Sequence, residues 1–168
     1  MSANQPFCYP NAFLSTTVET ELADAREEFL ALLASLSDTD FKRKSTVSVW
    51  TVKELLVHMI FWLRQTPRVV TLIRVGKSPP HIPGVLFAWI NIWLTRLAAW
   101  RQDRESISNQ YEQAFQTVMQ LAEGIQEQEW QRGASFGAPF YEYRTIEKII
   151  RSHRTHVQEH AKEIRQSL

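Results

Sequence analysis

An all-α fold, a bundle of four amphipathic helices with a long connection between the second and third, follows from three features of the sequence. Apolar residues recur at helical spacing over four long segments. The chain has five glycines and seven prolines among 168 residues, too few for a turn-rich β fold. No strand signal competes with the helical ones. Helices that each carry one apolar stripe bury those stripes on one another. The length and the 44% apolar share suit one core, so residues 1–168 are expected to form a single domain.

The first helix is expected from about Ser15 to Leu36. Val18, Leu22, Ala25, Phe29, Leu32 and Leu36 alternate at spacings of four and three and share one face. Glu19, Glu21, Asp24, Glu27 and Glu28 leave the rest of the helix acidic. The second helix has the clearest start signal. In Trp50-Thr51-Val52-Lys53-Glu54-Leu55, Thr51 and Glu54 form a capping box, and Trp50 and Leu55 are placed for a hydrophobic staple. Pro67 is expected to kink this helix or to end it near Thr66, because it lacks an N–H and clashes with the preceding turn.

The third segment starts near Gly84 with VLFAWINIWLTRLAAW. After the polar stretch RQDRES, Ile107, Tyr111, Ala114, Val118, Leu121 and Ile125 return to helical spacing. One long bent helix and two separate helices both fit this pattern. A loop with two glycines and Pro139 is expected over residues 132–143. The fourth helix then begins after Thr145, a suitable cap, with Ile146, Ile150, Val157 and Ile164 as its stripe.

Several function classes are disfavoured by composition. The formal net charge of +1 is not that of a nucleic-acid-binding domain. The longest apolar run, Val85–Leu94, is about half of the roughly 20 residues that a membrane span requires. The N-terminal MSANQPFCYPNAF lacks the basic start and apolar run of a secretory signal, so a soluble, cytoplasmic protein is expected. Cys8 is the only cysteine, which excludes an internal disulfide and argues against cysteine-based zinc ligation. Basic residues dominate between Lys42 and Arg101, where Glu54 is the one acid. The reading favoured here is a basic half that neutralises the acidic first helix. A second is an electropositive mouth for anionic substrates, for which Arg64, Arg68 and Arg96 are candidates.

The chemistry-bearing residues are histidines. His58 follows Leu55 by three and precedes Trp62 by four, so it points with apolar neighbours toward the interior. In the fourth helix, His156 and His160 are four apart and stack one turn above the other, with His153 on the same face. Such spacing lets one helix offer two imidazoles to one metal ion. It also describes an ordinary solvated face, and a single inward histidine is often just a hydrogen-bonded core residue. If His58 and two rings of the fourth helix converged, the set would suit Zn²⁺, Ni²⁺, Fe²⁺ or Mn²⁺. Three protein ligands would leave a coordination position open, as in catalytic rather than structural sites.

Trp50–His58 (WTVKELLVH) resembles the second-helix motif of the DinB/YfiT-like metalloenzyme superfamily, and His156–Ile164 (HVQEHAKEI) resembles that family's paired-histidine motif. Trp89–Trp93 with Arg101–Ser106 is similar to the start of the third helix in some members. The resemblance runs along nearly the whole chain. It implies a four-helix bundle, often a homodimer, with a divalent transition metal held by His58, His156 and His160. His153 matches no ligand of the family, so a structural role or one supporting the ligands is expected for it, and His81 is given no role. Members include transferases and isomerases that use low-molecular-weight thiols, so a thiol-dependent transferase or a hydrolase acting on a small molecule is the expected activity. A non-catalytic stress-response or binding module with the same fold is the alternative. No catalytic or thiol-binding residue is implied; Glu54 is expected to be occupied in its cap, and Glu159 to point about 100° away from the neighbouring ligand.

Overall fold

The computed structural model describes the backbone of residues 11–168 and side chains from Thr17 onward. Cys8 and most of the N-terminal stretch read above for a targeting signal lie outside the described residues. The elements are α1 (Asn11–Ser35), a 3-10 turn (Asp40–Lys42), α2 (Val52–Arg74), α3 (Gly84–Ala99), α4 (Arg104–Glu123), the short α5 (Glu127–Trp130), β1 (Gly133–Ser135), β2 (Tyr143–Thr145) and α6 (Ile146–Ser167).

Four of these form the bundle. α1 packs on α6 and α4, and α2 packs on the same two. α3 lies in the long connection between the second and third bundle helices and rests on α2. The third segment is thus two helices: Asp103 caps α4 by accepting from the Ser106 amide at 2.8 Å, and Lys53 closes the corner by donating to the Gln102 carbonyl at 3.1 Å.

The apolar stripes form the core. Val18, Leu22, Ala25, Phe29, Leu32 and Leu36 are all buried, as are Ile146, Ile150, Val157 and Ile164 of α6 and Ile107, Tyr111, Ala114 and Val118 of α4. The Phe29 ring stacks on Tyr111 with centroids 3.7 Å apart, joining α1 to α4. At the end of α1, Arg104 donates to the carbonyls of Leu33 and Leu36, supplying a cation where the helix leaves carbonyls unpaired.

Two expectations are corrected and one is narrowed. α2 continues through Pro67 to Arg74, so it does not end near Thr66. The residues around the proline, Leu63, Thr66, Val70 and Ile73, are all buried, and packing of that face outweighs the loss of one backbone hydrogen bond. The stretch read as a loop contains a small antiparallel hairpin in which Ala134 pairs with Arg144 and Gly133 with Thr145. A Cβ at Gly133 would collide with the Arg144 carbonyl oxygen, so glycine is what allows the two strands to approach. The acidic face of α1 is not neutralised by the basic stretch of residues 42–101. It pairs with α6: Arg151 binds Glu21 through two hydrogen bonds of 2.9 and 2.6 Å, and Arg154–Asp24 and Arg165–Glu28 continue the row. α3 buries only Thr95 and Ala99, while Val85, Leu86, Trp89, Trp93, Leu94 and Leu97 are exposed.

Among the described residues, no helix is long and apolar enough to cross a membrane. Phe29→Ala is expected to lower stability by about 3–5 kcal/mol in a denaturant titration. Thr51→Ala, which removes the cap of α2, is expected to cost about 1 kcal/mol.

Candidate metal centre and cavity

The capping box sets the start of α2. The Glu54 amide donates to Thr51 Oγ1 at 3.2 Å and the Thr51 amide to Glu54 Oε2 at 2.7 Å. Glu54 also faces Arg96 at 3.5 Å, so this carboxylate is committed to structure. Two turns into the helix, His58 lies 8% exposed, with its ring between Trp50 and Trp62 at centroid distances of 5.4 and 6.1 Å. α6 runs alongside and brings His156 and His160 to it. The His58 ring lies 5.2 Å from each of them, and their own centroids are 4.7 Å apart. One potential ligand atom from each of the three falls within 4.8 Å of the others.

His58 Nδ1 is buried and has no hydrogen-bond partner among the described residues. A polar atom left in this state costs about 1–3 kcal/mol, and a cation that accepts its lone pair would remove that cost. Burial holds the His58 imidazolium pKa down to about 4, aided by the nearby His160 and opposed by Glu163. His156 is likewise held well below the ordinary histidine value by burial and by the rings of His160 and His58. Both rings are therefore neutral at physiological pH, the form in which imidazole binds a metal.

His160 is oriented by Glu163, a residue that sequence reading missed. Its Nδ1 lies 3.0 Å from Glu163 Oε2, which leaves Nε2 free to act as a ligand. The carboxylate is in turn held by the hydroxyls of Ser45 and Ser48, the latter at 2.5 Å. Burial opposes the charge on Glu163, but hydrogen bonds from Ser45, Ser48 and His160 outweigh it and keep the carboxyl below its ordinary value. The spacing of three between His160 and Glu163 was a visible signal; the serines, more than a hundred residues away in sequence, gave none.

The remaining histidines stand apart. His153 is buried and shares a 2.6 Å hydrogen bond with Thr66 of α2. Burial, reinforced by the charge of Arg144, holds its pKa down to about 4. His81 is exposed and lies against Gly137.

His58 and His156 open onto a cavity of about 780 Å³. Its walls are largely apolar and come from Trp62 of α2, Phe87 and Ile92 of α3, and Phe136 and Phe140 of the hairpin loop. Arg64, Arg68 and Arg96 do not line it, whereas Arg144 of β2 does. Glu159 is exposed at its margin.

The model of the DinB superfamily matches residues 21–164. No curated protein matches the sequence. Solved structures share the fold. YfiT from Bacillus subtilis, described as a probable metal-dependent hydrolase with an unusual four-helix bundle topology, aligns with a TM-score of 0.71 at 14% identity over 98% of this chain and 90% of its own. An uncharacterised protein from Clostridium difficile 630 aligns with a TM-score of 0.73 at 11% identity, covering 90% of this chain and 94% of that one. A mycothiol-dependent maleylpyruvate isomerase aligns with a TM-score of 0.70 at 11% identity, over 93% of this chain and 61% of the isomerase.

The buried histidines make stability pH-dependent in the metal-free chain. An unfolded histidine takes up a proton near pH 6.5, whereas folded His58 and His153 resist until about pH 4. Between those values the unfolded state binds more protons, so stability is greatest above the upper value and falls toward the lower one. Each such group contributes a slope of at most about 1.4 kcal/mol per pH unit. His153→Gln is expected to flatten the slope measured by denaturation across that window; an unchanged slope would contradict the account.

Proposed function

The chain belongs to the DinB superfamily, and on that premise we propose that it is a metal-dependent enzyme acting on a small molecule, with His58, His156 and His160 as the ligands of one divalent transition ion. The observation that carries the reading is the convergence of three imidazole ligand atoms, one ring holding an unpartnered buried nitrogen, at the end of an apolar cavity. Zn²⁺, Ni²⁺, Fe²⁺ and Mn²⁺ all suit three nitrogen donors. An ion held there supplies Lewis acidity, which brings a bound water or thiol toward its anionic form near neutral pH.

The protein's own contributions are separable. Burial keeps His58 and His156 neutral. Glu163, clamped by Ser45 and Ser48, fixes the His160 ring and raises its basicity as a ligand. The aromatic walls give the cavity a largely apolar lining. Hydrolysis and thiol-dependent group transfer are the two reaction classes proposed; YfiT is described as a probable metal-dependent hydrolase, and the neighbouring isomerase as mycothiol-dependent. Neither carboxylate singled out in the sequence is placed as a general base, because Glu159 is exposed and Glu54 is engaged in its cap.

A homodimer is part of the proposal. The exposed apolar side of α3, with Trp89, Trp93 and Leu97, is the surface assigned to the second copy, since contiguous exposed patches of this kind mark interaction sites. Sedimentation of the wild type should give a dimer and Trp93→Glu should shift it to monomer. A wild type that sediments as a monomer would remove this part.

Protein purified without a histidine tag is expected to carry stoichiometric transition metal by elemental analysis, and His58→Ala to carry none. Glu163→Gln should still bind the ion, about 10–100-fold more weakly. Metal content unchanged in His58→Ala would overturn the assignment. Assays of ester hydrolysis, and of thiols with electrophiles, then separate a catalyst from a binding module.

A further inference from the structure

Arg144 is the one cation other than histidine among the described residues that line the cavity. It reaches the cavity from β2, on a hairpin that the bundle itself does not require. Its side chain is only 11% exposed. Its guanidinium lies over the Phe140 ring, 4.2 Å from the centroid, and the Phe140 ring meets Trp62 edge-on at 5.8 Å. The neighbouring acid is Glu142, 3.3 Å from Nε. That contact does not form a hydrogen bond, and Nε has no hydrogen-bond partner. Glu142 is instead hydrogen-bonded by Lys148 at 2.6 Å. Arg144 thus lines the cavity with its Nε buried and without a hydrogen-bond partner among the described residues.

A largely buried cation whose ion pair with Glu142 leaves Nε without a hydrogen bond is costly, and burial depresses the Arg144 pKa despite Glu142. A carboxylate is the group that matches a guanidinium, through two parallel hydrogen bonds. The position is informative as well. Arg144 is close enough to His153 to act on its charge, and His153 is bonded to Thr66. Thr66 lies eight residues beyond His58 on α2, about 12 Å of helix. Arg144 and the imidazoles of His58 and His156 therefore line one largely apolar space.

We propose that the cavity selects a small organic carboxylate with an apolar body, with Arg144 binding the carboxylate and the reacting group directed toward His58, His156 and His160. The carboxylate part rests on Arg144 alone; the direction of the reacting group rests on the metal-dependent reading above. Arg144 is a specificity-determining residue here. Its guanidinium holds one end of the substrate.

The test is calorimetric titration of the metal-free protein with 3-phenylpropanoate and with its neutral amide, 3-phenylpropanamide. The wild type is expected to bind the acid at least about tenfold more tightly, the worth of a charge-assisted pair. Arg144→Gln should lose that preference and Arg144→Lys should keep part of it, which separates loss of charge recognition from loss of fold. Acid and amide binding the wild type equally, neither binding at all, or a preference that survives in Arg144→Gln would each overturn the proposal. Zinc titration of the same proteins is read in parallel. Failure of zinc to bind the wild type would remove the metal centre and leave the acid-over-amide result standing, whereas zinc binding in all three without that preference would remove only the carboxylate site.

Discussion

A ring nitrogen of His58 sits away from water with no group in the described chain to bond it, and the surrounding structure is organised so that this cost persists. The capping box sets where α2 begins, Trp50 and Trp62 flank the ring, and α6 approaches closely enough to add two further imidazoles. His153 provides an internal contrast. It is also buried, yet its ring is hydrogen-bonded to Thr66. One histidine is satisfied by the protein alone; the other, among the described residues, is not.

The elements of the molecule divide by task. The bundle helices α2 and α6 carry the imidazoles, held by core packing and by the α1–α6 row of ion pairs. The cavity walls come largely from segments outside the bundle: α3, the loop after β1, and β2 with Arg144. The proposed ligands thereby sit on rigid elements, and the cavity walls on parts that can vary without disturbing the core. Glu163 bridges the two levels, because it lies on α6 but is fastened by Ser45 and Ser48 from the segment before α2.

Features encoded within a few residues were legible in the sequence. The stripes of α1 and α6, the Thr51–Glu54 cap, the Thr145 cap and the shared face of His156 and His160 all depend on helical spacing, and each appears as expected. Features decided between distant segments were not. Pro67 carries a local signal to stop, which burial of Leu63, Thr66, Val70 and Ile73 overrides. The three-residue strands are too short to show alternation, and Gly133 reads as loop until its close approach to Arg144 is seen. The basic stretch drew attention to Arg64, Arg68 and Arg96, while the cation in the cavity lies beyond it at position 144. The partner of α1's acidic face was likewise hidden, because helix–helix adjacency is not written in the order of the chain.

The sixteen residues of α3 have two apolar sides in use at once. Phe87 and Ile92 close the cavity, while Trp89 and Trp93 point away from it and lie open. With only Thr95 and Ala99 buried, the helix has little of its own surface anchoring it in place. Coverage of the outer side and occupancy of the inner side therefore act on the same lightly held element. Linkage makes any such influence reciprocal: whatever free energy assembly lends to filling the chamber, filling the chamber lends to assembly.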